Sequence, residues 1–183
     1  IMYDDSKITD FQVPAADLQI ISEKLLNNND LCKLLYFANN NPFQEEITDE
    51  QKSELFNNDY IAIIPRIYAD TFEKSGIIIS FDNFMAGYDN PLYMSSTIIF
   101  DIIVPLKDWK IKDKQNKHTT LRPYELAHLL HAEMNGKVLT GIGKASFSSA
   151  SQILLPANED VAGLTLRYTV ENSDNDGYKL RNR

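Results

Sequence analysis

His128 and His131 are the residues of this chain whose types and spacing come nearest to a metal site. Three positions apart on a helix they share one side, and Glu133 follows closely. A zinc hydrolase of the helical type needs His-Glu-x-x-His, with the imidazoles four apart and a carboxylate base between them. Here the run reads His-Leu-Leu-His. The expectation is therefore that these residues border a leucine stripe and bind no metal, with a small metal-dependent hydrolase kept as the lesser alternative. Cys32 is the one cysteine, so no intrachain disulfide can form. A reactive thiol needs a base or an electropositive setting. Leu31 and Leu34 supply neither, which predicts a buried structural cysteine. Gly141-Ile142-Gly143-Lys144 falls short of a phosphate loop, whose lysine is followed by Ser or Thr and then a helix; residue 145 is Ala, and a turn is expected. Neither a Gly-x-Ser-x-Gly elbow nor a paired-cysteine motif occurs. No catalytic residue, metal or cofactor is expected.

Two charged features remain. Asp101 interrupts Ile98-Ile99-Phe100-Asp101-Ile102-Ile103-Val104. A carboxylate in a central strand needs a partner, because burying it bare is costly. Arg122 is the candidate for a structural ion pair with Asp101, with an intersubunit contact as the other option, in preference to acid–base catalysis with Asp82 and Asp89. The second feature is residues 107–117, where Lys107, Lys110, Lys112, Lys114 and Lys117 stand against Asp108 and Asp113. This patch is a candidate contact between subunits, or a lining for a channel. Trp109 and Ile111 within it have the shapes that stack on bases. A ring whose lysines face passing DNA suits the composition better than a groove reader.

These residues need elements to position them. Residues 1–13 read as a polar arm. Pro14 opens a helix with Leu18, Ile21 and Leu25 at helical spacing. Asp30 is the expected cap of a second helix carrying Leu31, Leu34 and Leu35. Thr48 and Gln51 form a capping box for a third, ending near Asn57. Strands are expected at 60–65, 76–81 and 95–105, the last apolar on both faces and so mid-sheet, with a loop at 82–91. After the lysine-rich loop, Thr119 and Thr120 are placed as caps of a helix with Pro123 in its first turn. Its buried stripe is Leu126, Leu129, Leu130 and Met134, and Asn135-Gly136 ends it. Strands at 144–155 and 161–171 form a hairpin around a loop at 156–160, and a polar tail follows from 174. Helices, two strands, a helix and two strands give α+β: a small, mostly antiparallel sheet flanked by helices, one domain with extended terminal arms.

Composition fits that size and adds one asymmetry. The chain has 183 residues, 43% of them hydrophobic, and a net charge of −8. No apolar run reaches the ~18 residues of a spanning helix. Ile1-Met2-Tyr3-Asp4-Asp5 lacks the basic-then-apolar pattern of a secretory signal, so a cytoplasmic site of assembly is expected. Residues 1–60 hold 4 Lys and Arg against 12 Asp and Glu, and residues 61–183 hold 14 of each. The whole excess is therefore in the first third. Head-to-tail contacts need two unlike surfaces on one subunit, and an acidic layer plus a basic patch are candidates for them.

Several stretches taken together resemble a known family. They are Leu31-Cys32-Lys33-Leu34-Leu35-Tyr36-Phe37, Ile63-Ile64-Pro65-Arg66, Ile79-Ser80-Phe81-Asp82-Asn83-Phe84 and Asn90-Pro91. Further along come Ile99-Phe100-Asp101-Ile102-Ile103, Leu121-Arg122-Pro123-Tyr124, Leu139-Thr140-Gly141-Ile142-Gly143 and Ala162-Gly163-Leu164-Thr165-Leu166. From about residue 18 to 170 the chain resembles the neck proteins of tailed bacteriophages: tail terminators and related head–tail connector ring proteins. The resemblance implies a non-enzymatic virion protein, assembled in the host cytoplasm as a homo-oligomeric ring of six or twelve copies. Such a ring lies between portal-side connector and tail proteins, with DNA passing through its lumen unread and no membrane involved. The acidic first third and the polar arm depart from the family pattern. A protein-binding adaptor domain outside any virion is the alternative of a different class.

Overall fold

The computed structural model describes residues 12–63, 73–86, 94–139, 143–154 and 160–171. Most of the expected arm, Ile64-Pro65-Arg66, Asn90-Pro91, the turn at 140–142, most of the 156–160 loop and the polar tail lie outside those residues. Helix α1 (Gln12–Leu26) begins ahead of Pro14, so Gln12 and Val13, expected in an arm, are helical. Ile21 and Leu25 are fully buried on its inner side. Helix α2 (Asn29–Tyr36) is capped by Asn28 and not by Asp30. The Asn28 side chain accepts the Leu31 N–H at 3.1 Å, while Asp30 sits inside the first turn, where a negative charge also suits the helix dipole. A short 3-10 turn, Pro42–Gln44, leads to α3 (Asp49–Asn57). Its capping box forms as predicted: Gln51 N–H donates to Thr48 Oγ1 at 3.3 Å and Thr48 N–H to Gln51 Oε1 at 3.0 Å.

Strands β1 (Ile61–Ala62), β2 (Gly76–Ala86) and β3 (Met94–Pro105) follow. Next come β4 (Lys110–Lys112) and β5 (Thr119–Leu121), then α4 (Arg122–Met134), β6 (Val138–Leu139), β7 (Gly143–Leu154) and β8 (Val161–Glu171). One sheet runs β1-β2-β3-β8-β7-β6, and β4 and β5 form a separate hairpin. Among the described strands only β1, at one edge, is parallel to its neighbour. The architecture is α+β with β3 mid-sheet, as its two apolar faces require. Strand β2 runs to Ala86, through the start of the expected loop, because its pairing with β3 resumes past an irregularity between Asp82 and Met85.

Strand alternation divides the sheet into two sides. Ile77, Ile79, Ile98, Phe100, Ile102, Leu166 and Tyr168 join Leu25, Leu34, Leu126, Leu130 and Met134 in the main core. Ile78 and Ile103 belong to a smaller cluster with Ala62 and Val161. Gly163 makes the β3–β8 approach possible: a Cβ there would lie 1.7 Å from the Ile102 carbonyl oxygen. Helix α4 ends at Asn135, and Gly136 takes φ +70° as expected of a stop signal.

Candidate functional site

The lysine-rich segment is not a plain loop. Lys110, Ile111 and Lys112 pair with Leu121, Thr120 and Thr119 as a β-hairpin. Alternation turns Ile111 into the core and leaves Lys110 and Leu121 together outside. Thr119 and Thr120 are therefore strand residues, not helix caps. The residue before α4 is Leu121, with no side-chain cap, and the Thr120 hydroxyl donates to Glu125 Oε1 at 2.8 Å. The hairpin tip is closed by Asp113, whose carboxylate accepts the Lys117 N–H at 2.8 Å. That bond, with a further one from His118, holds the carboxyl below its ordinary value.

Arg122 stands at the base of this hairpin and is completely buried. Its guanidinium donates only to carbonyl oxygens: Nε to Asp108 at 2.9 Å, Nη1 to Leu34 at 2.5 Å and Phe37 at 2.8 Å, Nη2 to Asn39 at 2.7 Å. Leu34 and Phe37 end α2, so a cation caps the negative end of that helix. Burial lowers the guanidinium to about 10, opposed by the charge of Asp108, and it stays cationic at neutral pH. The expected Asp101–Arg122 pair is not formed. Phe100 and Ile102 face the helices, so Asp101 points to the other side of the sheet, where it accepts the Thr165 hydroxyl at 2.5 Å.

The lysines divide as well. Lys114 pairs with Asp30, and the Lys112 N–H donates to Asn40 O at 2.7 Å. Gln44 Nε2 adds a bond to the Lys114 carbonyl at 3.2 Å. Basic hairpin and acidic first third thus meet within one chain, where the sequence left open a contact between copies. Lys107, Lys110 and Lys117 are exposed, with no ion pair among the described residues. Trp109 is not available for base stacking: it packs against the core and its indole N–H donates to Val104 O at 3.0 Å. Beside the outward lysines stand apolar side chains that sequence reading passed over, Leu106 (46% exposed), Leu121 (37%) and Tyr124 (47%).

The other chemical candidates are held apart. His131 Nδ1 lies 3.0 Å from the Tyr168 hydroxyl, and Phe147 packs edge-on against both rings. His128 is exposed. Glu133 is engaged by Asn28 at 3.1 Å, Lys24 at 3.5 Å and Lys137 at 3.3 Å. Cys32 is buried, donates to Leu26 O at 3.3 Å, and is pushed up to about 11 by burial. Its thiol stays protonated, as a structural cysteine should. No group of three or more metal-ligating side chains occurs among the described residues, and no helix there is long and apolar enough to cross a membrane.

A family model described as YomW matches residues 28–170, which takes in every element from α2 to β8. No curated protein and no solved structure matches the chain.

Proposed function

The chain belongs to the YomW family, a phage-type protein family, and from that premise we propose that it is a structural protein of the virion neck. In this reading copies close into a ring between portal and tail, as a tail terminator or head–tail connector, and DNA passes through the lumen without being read. The observation that carries the reading is the split of charge on one chain. All of the net −8 belongs to residues 1–60, while the remainder is neutral and presents outward lysines. A closed ring built head to tail requires two unlike surfaces on each subunit. The commitment of Cys32, Arg122, His131 and Glu133 to partners inside the fold supports a structural role over a catalytic one.

Two observations test this. Negative-stain images of the full chain, alone and mixed with purified tail tubes, are expected to show closed rings. Antibody raised against the chain is expected to label virions at the head–tail joint. A chain that remains monomeric in both preparations, or label confined to another part of the particle, overturns the reading.

A further inference from the structure

The outward side of the β4–β5 hairpin and the turns that flank it carry both charged and apolar side chains. The ladder sets Lys110 directly beside Leu121. The 3-10 turn Leu106–Asp108 carries Leu106 and Lys107 and runs into the ladder through the Trp109 N–H bond to Leu106 O at 3.3 Å. Tyr124 lies in the first turn of α4, one helical step past Leu121. Three exposed apolar side chains therefore stand on or next to the hairpin with two cations that have no ion pair among the described residues. Apolar side chains among cations suit a protein face, whereas a surface for phosphate backbone needs charge and not leucine.

A surface of matching character exists on the same chain. Residues 45–59 carry six carboxylates against the single Lys52. The capping box leaves the start of α3 projecting outward, with Glu46, Asp49 and Glu50 exposed, and Phe56 is exposed at its far end. A backbone N–H bond at the helix start, with a further bond from Thr48, holds Glu50 below its ordinary value, so it is charged at neutral pH. The acid at the start of α3 complements the base on the hairpin. The two surfaces differ, so the contact they make is head to tail.

We infer that the start of α3 of one copy, through Glu46 and Glu50, docks on Lys107, Lys110 and Tyr124 of the next copy. The inference rests on the ring reading for its biological setting, but the contact is testable by itself. It differs from a simple meeting of the acidic third with the lysine stretch, because Lys114 is paired with Asp30 of its own chain and is left out.

Sedimentation of the full-length chain over a concentration series measures the contact. Wild type is expected to self-associate, more weakly as salt is raised. Lys107→Glu with Lys110→Glu is expected to weaken association at least tenfold, and Glu46→Lys with Glu50→Lys likewise. Mixing the two reversed proteins is expected to restore association, since each brings a reversed surface that fits the other. Tyr124→Ser tests the apolar part and is expected to weaken association without altering its salt dependence. Circular dichroism verifies that every variant is folded. Association unaffected by either reversal, or no recovery on mixing, overturns the contact and leaves the ring reading standing if rings are still imaged. Open chains that obey the charge swap uphold the contact and overturn the closed ring. A wild-type chain that stays monomeric but retains duplex DNA through Lys107 and Lys110 overturns the contact and assigns those lysines to nucleic acid.

Discussion

Arg122 and the lysines of residues 107–117 are neighbours in sequence and opposites in the fold. The arginine is completely buried, and its donors all end on carbonyl oxygens of α2, the segment after it and the hairpin base. Of the lysines, Lys114 has an ion pair and Lys107, Lys110 and Lys117 point to solvent. The difference follows from the shape of the donors. A guanidinium offers five N–H groups in a rigid planar fork and sheds water readily, so several carbonyls can converge on it. An ammonium is a compact, strongly hydrated point, and holding it at a fixed place costs side-chain entropy that exposed attraction barely offsets. Density of charge in a sequence therefore does not mark where charge holds a fold together. Arg122 joins α2, α4 and the hairpin, while the lysines remain available for contacts outside the chain.

The largest expected effect is on the arginine side of this contrast. Arg122→Met removes the donors from four carbonyl oxygens at once. It is expected to cost about 3–5 kcal/mol, the scale for breaking a buried charged network. Arg122→Lys is expected to recover only part, because its three donors share one nitrogen. Lys107→Met is expected to stay within about 0.5 kcal/mol of wild type. Urea melts of the three variants decide it, and equal losses at Arg122 and Lys107 would break the contrast.

A second, intermediate effect separates the interior from the hairpin by pH. Burial pushes the Cys32 thiol up to about 11 and the Tyr168 phenol up to about 12. Both are acids whose folded form holds its proton longer than the unfolded chain does. Their contribution is fully present below the ordinary values of 9.0 and 10.0 and is lost as pH rises towards 11 and 12. Urea midpoints are therefore expected to fall through that alkaline range. Cys32→Ala is expected to flatten the lower part of the fall, and Lys107→Met to leave it unchanged. Persistence of the full slope in Cys32→Ala would show that the thiol takes no part.

Much of this was legible in the sequence where a pattern had one physical solution. Thr48 and Gln51 could form only a capping box, and the doubly apolar β3 could lie only inside a sheet. Strand β8 alternates along its length, and Leu166, Tyr168 and Val170 lie together on the face that enters the core. The failures came where long-range geometry chose between local options. Asn28 and Asp30 are both good caps, and the Leu31 N–H reached Asn28. The lysine stretch hid a hairpin because alternation around the single inward Ile111 is too short to show. Asp101 and Arg122 were matched by charge, although strand alternation puts Asp101 on the side of the sheet away from α4. The outward apolar side chains went unread for the same reason: Leu121 comes beside Lys110 only when the hairpin closes.

The smallest expected effect bears on what fixes the hairpin in place. Lys114 and Asp30 form an ion pair between two side chains that are 58% and 32% exposed. Pairs so placed contribute about 0–1 kcal/mol, and salt removes much of that. The hairpin also docks through backbone groups, the Lys112 N–H on Asn40 O and the Lys114 carbonyl on Gln44. Those bonds survive any change of side chain at 114. Lys114→Ala is therefore expected to lower stability by no more than about 1 kcal/mol in dilute buffer. The difference should shrink further in high salt, as followed by urea melts in both. A larger loss that persists in salt would mean that the lysine itself anchors the hairpin. It would then belong with Arg122, and the division between a working arginine and available lysines would have to be redrawn at Lys114.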